Sequence, residues 1–97
     1  MKQFDVPDEM KVPFDYTDKD LPVSVKTFRP VVFREGDSFC VVFGPNPQAG
    51  IFGRGNTPKE ALTDWDKNLY HRIKEHKKED EVAKFVIDTI SSSDFNI

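Results

Sequence analysis

Apolar positions change their spacing several times along this chain, and each spacing predicts a different element. Through residue 24, Phe4, Phe14 and Tyr16 are scattered among Pro7, Pro13, Pro22 and six acids, with neither a two-residue nor a 3.6-residue period. The prediction is an extended, partly disordered acidic arm over 1–24, followed by a single domain over 25–97. From Val25 the residues become β-branched and aromatic. Two runs, Val25 to Arg34 and Ser38 to Phe43, flank Glu35-Gly36-Asp37 and read as a hairpin. Pro30 cannot donate to a ladder, which predicts an edge or a bulge in the first run.

A three-residue hairpin loop would set Phe33 opposite Phe39 and Val31 opposite Val41, gathering Val31, Phe33, Phe39, Val41 and Phe43 on one face. A two-residue loop would pair Phe33 with Cys40 and mix the faces. The longer loop is therefore expected, with Gly36 in a conformation costly for other residues. Gly44-Pro45-Asn46-Pro47-Gln48-Ala49-Gly50 is a loop of turn residues, and Ile51-Phe52-Gly53-Arg54-Gly55 fits a short third strand.

Asn56-Thr57-Pro58-Lys59-Glu60 reads as a helix start, with Thr57 as N-cap, Pro58 in the first turn and Glu60 completing a capping box. Ala61, Leu62, Trp65, Leu69 and Ile73 then form one apolar stripe, so a helix from Pro58 to about His76 should cover the sheet. The C-terminal element lies within 76–90. There Val82, Phe85, Val86 and Ile90 have helical spacing, while Phe85-Val86-Ile87 has strand composition; helix is preferred and strand remains the alternative. Residues 91–97 read as a frayed tail. The expected fold is α+β: a three-stranded antiparallel sheet under one long helix, with a second C-terminal helix or strand.

Composition narrows the function classes. The 97 residues carry a formal charge of -3, with 37% hydrophobic and 12% aromatic residues, which suits one globular domain. Charge is uneven: -3 over residues 1–25, +2 over 26–57 and -2 over 58–97. Nucleic-acid binding relies on clustered cations, so a basic protein is a better-matched partner than DNA or RNA. No apolar run is long enough for a membrane span, and the N-terminus has no secretory pattern. Cytoplasmic localisation is expected. A single cysteine, Cys40, excludes an internal disulfide framework and multi-cysteine metal motifs.

Gly55-Asn56-Thr57-Pro58-Lys59-Glu60-Ala61-Leu62, preceded by an aromatic-rich hairpin and a proline-containing loop ending in Gly50, resembles the N-terminal domain of HicB-type antitoxins. In that family the helix opens on Gly-Asp-Thr-x-x-Glu-Ala-Leu; Asn56 stands here in place of the aspartate. The likeness covers about residues 25–76. It implies a partial RNase H-like fold and a role in binding and neutralising a small basic HicA-type toxin that cleaves RNA. Residues beyond 76 are too few for the DNA-binding module that repressor members add, so DNA autoregulation is not part of the implication.

Candidate chemistry is sparse. Asp64 and Asp66 diverge by about 200° on a helix and do not converge on one metal. His71 and His76 miss the i, i+4 arrangement of a metal pair. Cys40, among Phe39, Val41 and Val42, reads as a small apolar strand residue. The basic run His71 to Lys78 is diluted by acids and reads as a solvated helix end, and Trp65 is in phase with the core stripe. No catalytic residue, cofactor or metal is expected. Gly55, Thr57, Pro58, Glu60 and Trp65 read as structural. Partner contact is expected at the loop residues Pro45, Asn46, Pro47 and Gln48 and at the hairpin-tip acids Glu35 and Asp37, since loops on rigid scaffolds carry binding. The free edge of the third strand is a second candidate surface, open to pairing with another copy. The expected function is a non-enzymatic protein-binding module; the alternative is an orphan domain acting as a homodimeric scaffold or sensor.

Overall fold

A computed structural model describes residues 2–92. Its three strands, β1 (Val31–Glu35), β2 (Ser38–Phe43) and β3 (Ile51–Gly55), form an antiparallel sheet in the order β1-β2-β3. Helix α1 (Val23–Phe28) precedes them, and α2 (Pro58–Glu75) and α3 (Glu81–Ser92) follow. The α+β class, the sheet, the long helix and the C-terminal helix match the sequence reading. Among residues 91–97, Ser91 and Ser92 extend α3; the rest of the expected tail lies outside the described residues.

The hairpin register differs from expectation. Glu35 pairs with Ser38 and Phe33 with Cys40, so the loop has two residues. Gly36 has φ 62 while Asp37 is not among the positive-φ residues, the pattern of a type II′ turn with glycine in its first central position. Faces alternate accordingly. Val32, Val41, Phe43 and Ile51 pack under the helices with Leu62, Trp65, Leu69, Val82 and Val86. Phe33, Cys40 and Val42 turn to the opposite face.

That second face is buried because the N-terminal segment lies across it. Val6 is 2% exposed, and Phe4 and Met10 pack beside it against Phe33, Cys40 and Val42. Lys11 forms an antiparallel bridge with Phe33, and the Val12 N–H donates to the Val32 carbonyl at 2.9 Å. Farther along, the Tyr16 hydroxyl donates to the Pro30 carbonyl at 2.5 Å. A sheet covered on both faces removes the reason to sort every apolar residue to one side.

The first β-like run is also corrected. Residues 23–28 are helical, and the boundary drawn between 24 and 25 falls inside α1. Leu21, Val25 and Phe28 have the spacing of one helical face, and all three belong to the main core or pack on it. Arg29 ends the helix in the left-handed region at φ 47, its N–H bonded to the Val25 carbonyl at 2.9 Å. Pro30 then separates helix from strand, a usual position just past a C-cap, instead of marking a bulge.

Helix α2 opens as its sequence predicts. The Glu60 N–H donates to Thr57 Oγ1 at 3.1 Å, and Glu60 Oε2 accepts from the Asn56 N–H at 3.1 Å, so the return bond reaches one residue before the cap. Ala61, Leu62, Trp65 and Leu69 are fully buried, and Trp65 Nε1 donates to the Ile51 carbonyl at 3.1 Å. The helix comes very close to β3. A Cβ at Gly53 would lie 2.4 Å from the Trp65 nitrogen, and one at Gly55 2.6 Å from the Ala61 nitrogen. Both positions therefore admit only glycine without a shift of the helix.

Candidate functional site

The loop between β2 and β3 forms a hoop closed by its own hydrogen bonds. Asn46 Oδ1 accepts from the N–H groups of Gln48 at 3.0 Å and Ala49 at 2.7 Å, and the Gly50 N–H donates to the Asn46 carbonyl at 2.7 Å. Its base is tied to two other parts of the chain, the N-terminal segment and α2. The Phe4 N–H donates to the Gly44 carbonyl at 2.7 Å, and Gln3 Oε1 accepts from the Gly44 N–H at 2.8 Å. From α2, Arg72 donates to the Gly50 carbonyl at 3.0 Å and the Ala49 carbonyl at 2.6 Å. The same guanidinium grips both Asp80 oxygens, at 2.5 and 3.0 Å. Pro45 and Gln48 face solvent on the crest, with Asn46 and Pro47 half-buried behind them.

The pairing of Arg72 with Asp80 is not announced by the sequence, and it corrects the reading of Arg72 as part of a solvated basic run. The two residues are eight apart across a helix break, a spacing with no local signature. Asp80 does carry one usable signal, a side chain suited to capping the helix that starts at Glu81. Its Oδ1 accepts from the Ala83 N–H at 3.0 Å. The hydrogen bond from Arg72 holds the Asp80 carboxyl below the ordinary aspartate range, against the opposing effect of burial and with help from the Ala83 N–H.

The sign of that shift makes a prediction. A carboxyl with a depressed folded pKa contributes stability that is fully present above its unfolded pKa, roughly pH 4, and lost as pH falls through the folded value. Arg72→Gln is expected to cost about 2 kcal/mol at neutral pH, for a partly exposed ion pair and two carbonyl bonds. Urea unfolding at several pH values checks it. The gap between parent and variant should be constant near neutrality and narrow in acid below about pH 4; a gap that widens there contradicts the assignment.

The other expected contact residues are elsewhere. Glu35 and Asp37 are exposed at the hairpin tip, and Pro45 to Gln48 follow the far end of β2, whose six residues span roughly 17 Å. The two sets do not form one small site. Gly55, Thr57, Pro58, Glu60 and Trp65 sit at the β3–α2 junction and in the core, away from the hoop's crest.

The edge of β3, expected as a pairing surface, is partly occupied by α2. Asp64 Oδ2 accepts from the Arg54 N–H at 3.0 Å, and Asn68 Nδ2 donates to the Phe52 carbonyl at 2.7 Å, so polar side chains of α2 occupy two of the backbone groups another strand would use. Asp66 turns away and accepts from the Ser24 hydroxyl. His71 pairs with Glu75 at 3.5 Å, while His76 Nδ1 lies 2.6 Å from the Ile73 carbonyl. No three His, Cys, Asp or Glu side chains among the described residues are grouped to hold a metal ion.

Cys40 is 1% exposed, with Sγ 3.8 Å from Glu35 Oε2. Burial, then the nearby Glu35 carboxylate, push its thiol pKa up. This disfavours the thiolate on which nucleophilic chemistry depends. No helix among the described residues is long and apolar enough to cross a membrane.

No protein-family model, curated protein or solved structure matches the chain.

Proposed function

We propose that this chain is a non-enzymatic protein-binding domain of the kind HicB-type antitoxins use to neutralise a small basic HicA-type toxin, in the cytoplasm where such a toxin would meet RNA. The observation that carries the reading is the hoop from Gly44 to Gly50. A connection between antiparallel strands needs no bidentate arginine clamp, yet Arg72 spends its guanidinium on two loop carbonyls and on Asp80. A loop ordered before contact loses less conformational entropy when a partner arrives. The resemblance over residues 25–76 supports the same reading, as does the acidic balance of the chain, which would speed and orient encounter with a cationic partner.

Affinity capture of the chain from its own host tests this. A small basic protein should be retained in stoichiometric amount by the parent. A double variant at the exposed crest, Pro45→Ser with Gln48→Arg, should retain at least about tenfold less, since disrupting side chains at an interface centre costs about 1.4 kcal/mol or more. Recovery of the parent alone in repeated captures, or equal retention by the double variant, would count against the proposal. Thermal unfolding of the variant, expected to be unchanged, separates lost binding from lost fold.

A further inference from the structure

At the end of the sheet where β1 begins and β2 ends, four segments leave a cleft of about 440 Å3 between them. Its apolar walls are Phe4, Phe28, Val31, Phe43 and Phe85. Among the described residues Phe85 is one of two large apolar side chains that stand well exposed, at 41%, and its ring lies 5.9 Å from that of Phe43. The ring of Phe28 is 5.2 Å from Phe43 on the other side. The three rings pack on one another and form one wall of the cleft, whereas the stripe of α2 is buried.

The polar part of the lining has one sign. Lys11 and Arg29 contribute cations, and no described lining residue is a carboxylate, in a chain whose net charge is -3. Lys11 is 3.2 Å from Asp8, whose side chain is 94% exposed and shares the lysine with water. No described carboxylate lies in salt-bridge reach of Arg29. Arg29 also holds its left-handed backbone at φ 47, which fixes where its side chain leaves the helix end. An apolar cleft of this size, with a few polar groups of fixed direction, has the anatomy of a small-ligand site.

We infer that this cleft binds an amphipathic carboxylate: a short hydrocarbon or aromatic tail lies against the wall formed by Phe28, Phe43 and Phe85, and its carboxylate pairs with Arg29 and Lys11. The charge of the lining selects a carboxylate over an amine. The inference is independent of toxin binding, which uses the hoop.

Titration of the 15N-labelled chain with sodium octanoate tests it. Saturable amide shifts should concentrate at Thr27, Phe28, Arg29, Val31, Phe85 and Thr89. Arg29→Gln should weaken octanoate about tenfold, the scale of one charge-assisted contact, and n-octanol, with the same tail and no charge, should bind the parent about tenfold more weakly than octanoate. Lys67→Gln, on the exposed side of α2, should leave octanoate affinity unchanged. If Arg29→Gln disturbs the spectrum broadly, Lys11→Gln carries the same comparison. Non-saturating shifts, shifts centred elsewhere, or octanol binding as well as octanoate would each overturn the inference. So would shifts at these six amides on dilution of the chain alone with no response to octanoate, because the cleft would then be filled by a second copy.

Discussion

Trp65→Ala is expected to lower the unfolding free energy by about 3–5 kcal/mol, the range for removing a large aromatic from a well-packed interior. The indole is fully buried, and its ring lies 6.4 Å from both Phe28 and Phe43. The variant also deprives the Ile51 carbonyl of the Nε1 donor that joins α2 to β3. Domains of this kind are commonly stable by about 5–15 kcal/mol, so the loss would consume much of the margin. Urea unfolding followed by circular dichroism measures it. Trp65→Phe should cost less, because most of the ring volume stays, although the Nε1 donor and part of the indole are lost. A change below about 1 kcal/mol for the alanine variant would mean that this side chain does not organise the core.

The second large effect comes from adding a single methyl group. Gly53→Ala is expected to destabilise by about 3 kcal/mol, the upper end for overpacking. The new carbon would sit 2.4 Å from the Trp65 nitrogen and 2.5 Å from the Ala61 carbonyl oxygen, and backbone atoms cannot rotate away as a flexible side chain can. Gly36→Ala supplies the contrast. Nothing lies within 4 Å of the added carbon there, and only the turn's φ of 62 opposes it. That variant should cost about 1–2 kcal/mol, the strain of a side chain held at positive φ. Equal losses at the two positions would show that crowding against α2 is not the cause.

Much of the fold is legible in the chain because its signals are local. Thr57, Pro58 and Glu60 mark the start of α2 within four residues, and the stripe from Leu62 to Leu69 gives the face it buries. In α3 the period of Val82, Val86 and Ile90 outweighs the strand-like composition of Phe85 to Ile87, since an amphipathic helix can bury β-branched residues on one side. The differences share another cause. A three-residue hairpin loop follows from placing all the apolar residues on one face, an assumption that holds only when the other face meets water. The cover on that face comes from Phe4, Val6 and Met10, about 30 residues away and without periodicity. Composition suggests a strand at Val25 to Phe28, but Val25 and Phe28 have to reach the same core as Leu21, which a helical turn achieves.

The candidate site is half legible. Turn chemistry points to the loop from Gly44 to Gly50, and Asn46 fulfils it by bonding two residues ahead. What holds the loop's base, Arg72 with Asp80, is a contact between elements, and no spacing within either element announces it. The partial cover on the β3 edge is hidden from sequence for the same reason. Asp64 and Asn68 look like solvent-facing helix residues until the helix is laid beside the strand.

The bridging of the N-terminal segment to the hidden face has a practical corollary for anyone trimming this protein. A version begun at residue 25, where composition alone invites the cut, would split a helix and strip the lid from Phe33, Val42 and the thiol of Cys40. Greasy surface and an oxidisable sulfur would meet the medium together, and clumping followed by cross-linking of molecules is the natural outcome. The acidic leader is therefore part of what keeps the molecule dispersed.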